Sequence, residues 1–186
     1  MDAVLNQESE TLAQVGVEPL ISVLRQLADI LHATPDDQYT MKPVGVVNGS
    51  IGGQVRHCLD HVDSLLAGCC LGEMSYDNRQ RGTDVETSRS AALQAIERQE
   101  RELQEILHLS VDQPIRLKVL MAATGPSILV ATSLGRELAF VMSHTVHHIA
   151  LIGVIAKVLG IDVPDRFGYA PSTLAYLGAK HVRAKH

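Results

Sequence analysis

The sequence predicts an all-α protein: a four-helix bundle with a short β-hairpin in the crossover between its third and fourth long helices. Three observations predict this fold class. Four long stretches carry apolar residues at helical spacing. A segment in which polar and apolar residues alternate separates the last two stretches. Aromatic residues are scarce, with no Trp, 2 Phe and 4 Tyr, so the core is built from aliphatic side chains, as in packed helices.

The length and composition predict a soluble globular protein. The 186 residues are enough to bury a core without disulfides, and no repeat or long linker divides them, so we expect one domain over residues 1–186. The net charge of −5 argues against a nucleic-acid partner, because binding phosphates needs clustered Lys and Arg. Three cysteines, an odd number, and no basic N-terminal signal favour a reducing compartment, and we expect a cytoplasmic location.

The first half of the chain contains two of the predicted helices. The first begins at residue 17 or 18 and ends near residue 32, with Pro19 in its first turn, where a missing N–H costs nothing. Residues 34–49 contain several Pro and Gly and predict a surface connection. The second helix runs to about residue 71, and Ser50 is its expected N-cap.

A polar loop over residues 72–86 follows, and then a third helix over about 88–107. The pattern of residues 115–119, the Gly125-Pro126 turn and the β-prone residues 128–131 together predict the hairpin.

The fourth helix begins after Thr132 or Ser133 and extends about 26 residues. Its segment Leu138–Ala156 has no charged residue and approaches the length that spans a bilayer. Histidines, Ser and Thr lie at the centre of that segment, where polar groups are costly in lipid, so we expect a buried bundle helix and no membrane partner. A last short helix is predicted to about Ala179, with Ser172 as its cap.

Five of the nine histidines lie on two helices: His57 and His61 on the second, and His144, His147 and His148 on the fourth. Residues four apart lie on one face of a helix, so two imidazoles at that spacing can bind one ion. The sequence therefore predicts a metal site with His144 and His148 as ligands, and His57 or His61 supplies a third. Three protein ligands with an open position are typical of catalytic metal sites.

Other polar residues are weaker candidates. Gln54 and His61 share an edge of the second helix with His57, so both are expected to flank the metal, and His61 is the nearest residue that can act as a base. On the fourth helix, His147 points away from the face that His144 and His148 share, and it is interpreted as supporting a ligand or contacting a helix. Glu137 is interpreted as an acidic residue favourable near a helix N-terminus.

The loop residues Tyr76, Arg79, Arg81 and Glu86 have two interpretations. They either close over the site and bind an anionic substrate or, as we favour, form a salt-bridged structural loop.

Two motifs resemble a known family. The sequence is similar to the DinB/YfiT-like metalloenzyme family in helix order, in the crossover before the fourth helix and in its motifs, which are Ser50-Ile51-Gly52-x-x-x-x-His57, His144-x-x-His147-His148, Tyr76-x-x-Arg79-x-Arg81 and Phe167-Gly-x-Ala-Pro171. The resemblance implies an up-down-down-up four-helix bundle. It also implies a divalent metal, often nickel or zinc, held by His57, His144 and His148. His61 is an addition to that pattern.

The resemblance further implies a function. Some members are transferases or isomerases that use a low-molecular-weight thiol, so we expect a metal-dependent hydrolase or a thiol-dependent transferase with a small-molecule substrate. The alternative is a metal-stabilised binding or stress-response module without turnover, and a bundle whose histidines only form hydrogen bonds is the third hypothesis.

The first helix bears on the oligomeric state. Its apolar residues cover more than one narrow stripe, so we expect Ile21 or Ile30 to remain for a partner and the chain to form a two-fold homodimer. Folding back of residues 1–16 over this surface is the alternative.

Overall fold

The structure is a computed structural model, and it describes residues 16–45, 48–78 and 82–183. Within these ranges the chain forms seven helices and three strands. In chain order they are α1 (Glu18–Ala33), α2 (Asp36–Tyr39), α3 (Ile51–Leu71), β1 (Glu73–Met74), α4 (Asp84–Thr87), α5 (Arg89–Glu105), β2 (Pro114–Val119), β3 (Ile128–Ser133), α6 (Leu134–Val158) and α7 (Pro171–Arg183).

The long helices α1, α3, α5 and α6 form the bundle. Both α1 and α3 pack against α5 and α6, so the four helices enclose one aliphatic core. The predicted fold class, a helical bundle with a hairpin between its third and fourth long helices, is confirmed. The packing also corrects one expectation: Ile21 and Ile30 are buried within the chain itself, with 6% and 0% of their surface exposed. They therefore leave no apolar surplus for a partner.

Serine side chains begin three of the bundle helices. Ser50, Ser88 and Ser133 each accept a hydrogen bond from the backbone N–H three residues further along, which satisfies a donor that the helix itself cannot. The predicted caps of α3 and α6 are thus confirmed. Ser172 is not a cap, because α7 begins at Pro171, whose fixed φ and missing N–H suit a first turn.

The small sheet has the order β1-β2-β3. Strands β2 and β3 pair antiparallel from Pro114 opposite Ser133 to Val119 opposite Ile128, as the hairpin predicts. The short parallel strand β1 and the one-turn helices α2 and α4 lie in segments that we predicted as loops. Their sequences are too short to show a period.

Helix α6 is the one helix of the described residues that is long and apolar enough to cross a membrane by length and composition. A core helix of a soluble protein passes the same test. One face of α6 packs against α3, and its buried residues include Glu137 and Thr145.

Candidate metal centre

The packing of α3 against α6 brings together the histidines of both helices. His57 and His61 are one turn apart on α3, and His144 and His148 are one turn apart on α6. The ring centroid of His57 lies 4.9 Å from that of His144 and 4.4 Å from that of His148. Two pairs that are local in sequence therefore become one cluster of four imidazoles.

Three histidines, His57, His61 and His144, are positioned to bind a metal ion. One ligand nitrogen of each lies within 4.8 Å of the other two. The Nε2 atoms of His57 and His144 are 2.9 Å apart. Two nitrogens that each lie about 2.1 Å from one ion are about 3.0 Å apart at a 90° angle and about 3.4 Å apart at the tetrahedral angle. The spacing of this pair is close to that of two ligands of a single ion, and it is also that of an N–H···N hydrogen bond between the two rings.

His61 is buried and its ring is held by its own helix. Its Nδ1 lies 2.8 Å from the backbone oxygen of His57. Since a carbonyl oxygen only accepts, Nδ1 carries the proton and donates it, and Nε2 keeps the lone pair that a metal ligand or a base needs.

His148 is the fourth imidazole of the cluster, and it is not among the three whose ligand nitrogens lie within 4.8 Å of one another. Its Nδ1 is 2.6 Å from Oε1 of Gln54, and its ring centroid is 4.5 Å from that of His144. An amide oxygen accepts, so Nδ1 donates, and Nε2 again keeps its lone pair. Gln54 flanks the site as expected. That His148 itself binds the metal stays a prediction.

A buried carboxylate, Glu137, is connected to the histidines through Tyr76. The sequence singled out this residue but did not predict its burial. Glu137 lies in the first turn of α6 and has none of its surface exposed. It accepts hydrogen bonds from Tyr76 at 2.8 Å, from Thr132 at 2.7 Å and from Arg136 at 2.8 Å. Its interpretation as a favourable acidic residue near a helix N-terminus is therefore incomplete, because three side-chain donors also bind it.

Tyr76 connects that carboxylate with the histidines. Its ring stacks on His61 with centroids 4.9 Å apart and planes 14° apart. Burial, and then the hydrogen bond to Glu137, raise the pKa of the Tyr76 hydroxyl above its ordinary value. The hydroxyl therefore stays protonated and donates its hydrogen bond.

Phe140 is the second aromatic residue at the site. Its ring centroid lies 5.0 Å from Tyr76 and 5.5 Å from His144, and the guanidinium carbon of Arg136 lies 5.2 Å from it. A signal was present in the sequence, because Arg136, Phe140, His144 and His148 follow one another at four-residue spacing. That spacing puts them on one face of α6.

The loop that follows β1 lies partly outside the described residues, because Arg79 and Arg81 are not among them. Glu86, further along, forms an ion pair of 3.0 Å with Arg56, which also pairs with Asp60 at 2.6 Å. Glu86 therefore fits the favoured interpretation, in which this segment is held by ion pairs.

The remaining candidates lie outside the cluster. His147 is exposed, with its ring centroid 5.3 Å from that of His148, so it contacts a proposed ligand. Cys58, the neighbour of His57 in the sequence, is buried in the core, and burial raises the pKa of its thiol to about 12.

Comparisons with known proteins support the fold. No protein-family model matches the chain. FK506-binding protein 5 of Rhizopus delemar is 27% identical over 172 residues, which is 92% of this chain and 40% of that protein. The chain thus spans less than half the length of this relative. The crystal structure of the DinB-like protein YjoA of Bacillus subtilis has 19% sequence identity and a TM-score of 0.60, covering 83% of this chain and 98% of YjoA. At the level of the fold, the resemblance inferred from the sequence is confirmed: this chain has a DinB-like fold.

Proposed function

We propose that the chain binds one divalent transition metal ion, zinc or nickel, with His57 and His144 as two ligands and His148 as the third. The observation that carries the proposal is the 2.9 Å separation of the His57 and His144 Nε2 atoms, with further imidazoles beside them. Imidazole nitrogen suits both zinc and nickel, and which of the two is bound depends on the geometry of the site and on metal availability.

His61 is the competing third ligand. It belongs to the group whose ligand nitrogens lie within 4.8 Å of one another, and its lone pair is on Nε2. If His61 does not bind the ion, the same lone pair makes it the nearest base to a molecule bound there. The two arrangements differ in whether loss of His148 or of His61 removes the metal.

We further propose a catalytic role, as a metal-dependent hydrolase or a thiol-dependent transferase with a small-molecule substrate. A bound ion with an open position supplies a water of lowered pKa or a place for a thiolate. The chain's own residues orient the ligands: Gln54 fixes the Nδ1–H of His148, and the His57 carbonyl fixes that of His61. Phe140 and Tyr76 form an aromatic wall beside the histidines.

A metal-stabilised module without turnover is the second candidate, and one observation favours it. Four imidazoles lie close together, with His61 only 4.1 Å from His144 between ring centroids. If all four bind the ion, a tetrahedral site is closed, as structural zinc sites are.

Metal analysis of untagged protein purified without chelator tests the binding proposal. We expect about one transition-metal ion per chain, and the His57→Ala/His144→Ala double variant should lose it. His32→Ala is the matched control, because His32 is an exposed histidine on α1 and does not belong to the cluster, and it should keep the metal. An equal metal content in wild type and double variant would refute the proposal.

Turnover is tested separately. Metal-loaded protein is assayed with low-molecular-weight thiols and electrophiles, and with ester and amide substrates. Turnover that disappears in the double variant supports an enzyme. Full metal loading without turnover, together with a raised melting temperature, favours the module.

We also propose that the chain is cytoplasmic, as its free cysteines favour, and that it forms a two-fold homodimer, the commonest arrangement of soluble oligomers. Because Ile21 and Ile30 are buried, such a dimer would use another surface. Light scattering coupled to gel filtration should give about twice 20.1 kDa. A monomer at micromolar concentration would contradict the dimer.

A further inference from the structure

Glu137 is a fully buried carboxylate, although the proposed ligand set does not use it. Removing a charge from water is costly unless the charge is paired and hydrogen-bonded, and three side-chain donors bind Glu137. Thr132 and Arg136 both bind its Oε1, at 2.7 and 2.8 Å. Its Oε2 binds the hydroxyl of Tyr76 at 2.8 Å.

Tyr76 connects the buried carboxylate of Glu137 to the ring of His61. Because its hydroxyl is tied to Glu137, its ring cannot turn or slide freely, and the ring lies nearly parallel to that of His61. His61 in turn contacts two proposed ligands, with ring centroids 4.5 Å from His57 and 4.1 Å from His144. Fixing Tyr76 therefore fixes the imidazole that packs against the His57–His144 pair.

We propose that Tyr76 and Glu137 form a positioning pair that holds His61 against the two ligands and thereby sets the metal affinity of the site. This inference rests on the proposed function, since it assumes that the histidines bind an ion. Replacing a residue that is hydrogen-bonded to a metal ligand typically changes metal affinity by about 10–100-fold. Because Tyr76 acts through His61, we expect a change at the lower end of that range. Neither residue is expected to bind the ion.

The test compares Co²⁺ binding by the full-length wild type and by Tyr76→Phe, followed by visible absorption. The variant keeps the stacked ring and loses only the hydroxyl. The matched control is Tyr39→Phe, because Tyr39 is also buried and its hydroxyl donates to the Val85 carbonyl at 2.7 Å. We expect Tyr76→Phe to weaken Co²⁺ binding about tenfold and to shift the Co²⁺ bands. Tyr39→Phe should change neither.

A milder variant, Thr132→Val, removes one donor from Glu137 and decides the question if Tyr76→Phe does not fold. It should also bind Co²⁺ more weakly than the wild type. Wild-type affinity and bands in Tyr76→Phe and Thr132→Val would overturn the inference, as would equal weakening in Tyr39→Phe.

A second readout separates this inference from the proposed function. If the wild type binds no Co²⁺, the proposed function fails, and nitrogen NMR of His61 in the metal-free proteins decides the inference. The wild type should then show the Nδ1–H tautomer, and in Tyr76→Phe the His61 signals should shift and broaden, because the ring that stacks on His61 is no longer tied to Glu137. Identical His61 signals in the two proteins would overturn it.

Discussion

Gly52, in the first turn of α3, lies against the backbone of α4. A Cβ at this position would overlap the carbonyl oxygen of Glu86 and would lie 2.8 Å from Cε1 of Tyr39. Gly53, the next residue, offers a matched comparison. A Cβ there would lie 3.4 Å from Oγ of Ser50, an ordinary contact. The same substitution, Gly→Ala, is therefore expected to have opposite effects at two adjacent positions of one helix.

The magnitudes follow from these contacts. Replacing a helical Gly by Ala gains up to about 1 kcal/mol, and at Gly53 nothing opposes the gain. At Gly52, forcing a methyl group into a packed contact costs about 1–3 kcal/mol. Displacing α4 also disturbs the 2.7 Å hydrogen bond from Tyr39 to Val85, and a hydrogen bond contributes about 1 kcal/mol. We expect a net loss of about 2 kcal/mol for Gly52→Ala.

Thermal unfolding followed by circular dichroism measures both changes. For a domain of this size, 1 kcal/mol shifts the melting temperature by about 2–4 °C, so Gly52→Ala should lower it by about 4–8 °C. Gly53→Ala should raise it by up to about 4 °C. If Gly52→Ala were as stable as the wild type, or more stable than Gly53→Ala, the close approach of α3 and α4 would be refuted.

Three further predictions concern the site and the thiols. Gln54→Leu should lower metal affinity about tenfold, because Gln54 fixes the ring of His148, and unchanged affinity in a metal titration would leave His61 as the third ligand. In the native protein a thiol reagent should modify Cys70 alone, since Cys70 is the exposed cysteine; rapid modification of a second thiol would contradict this. Above pH 9, urea unfolding should show falling stability, because the pKa of buried Cys58 is raised from 9.0 to about 12 and the unfolded chain ionises first. The decline should be smaller in Cys58→Ala.

The sequence by itself determined the helices that build the bundle. Helical periodicity and capping act within a few residues, so the beginnings of α3 and α6 after Ser50 and Ser133 were predictable. The shortest elements were not, because one turn of helix or two residues of strand carry no period. Spacing also predicted that His144 and His148 share a face, since this depends only on the geometry of a single helix.

Only the tertiary structure decided what meets across the helices. The approach of His61 to His144 depends on how α3 crosses α6 and on ring orientation, and neither follows from spacing. The burial of Glu137 was not predicted, because a charged residue is stable inside a protein only where other groups bind it. Here Tyr76, Thr132 and Arg136 donate hydrogen bonds to its carboxylate, and Tyr76 is distant in the sequence. Ile21 or Ile30 was expected to remain for a partner for a related reason: the width of an apolar stripe is local, but the number of helices that cover it is set by the whole bundle.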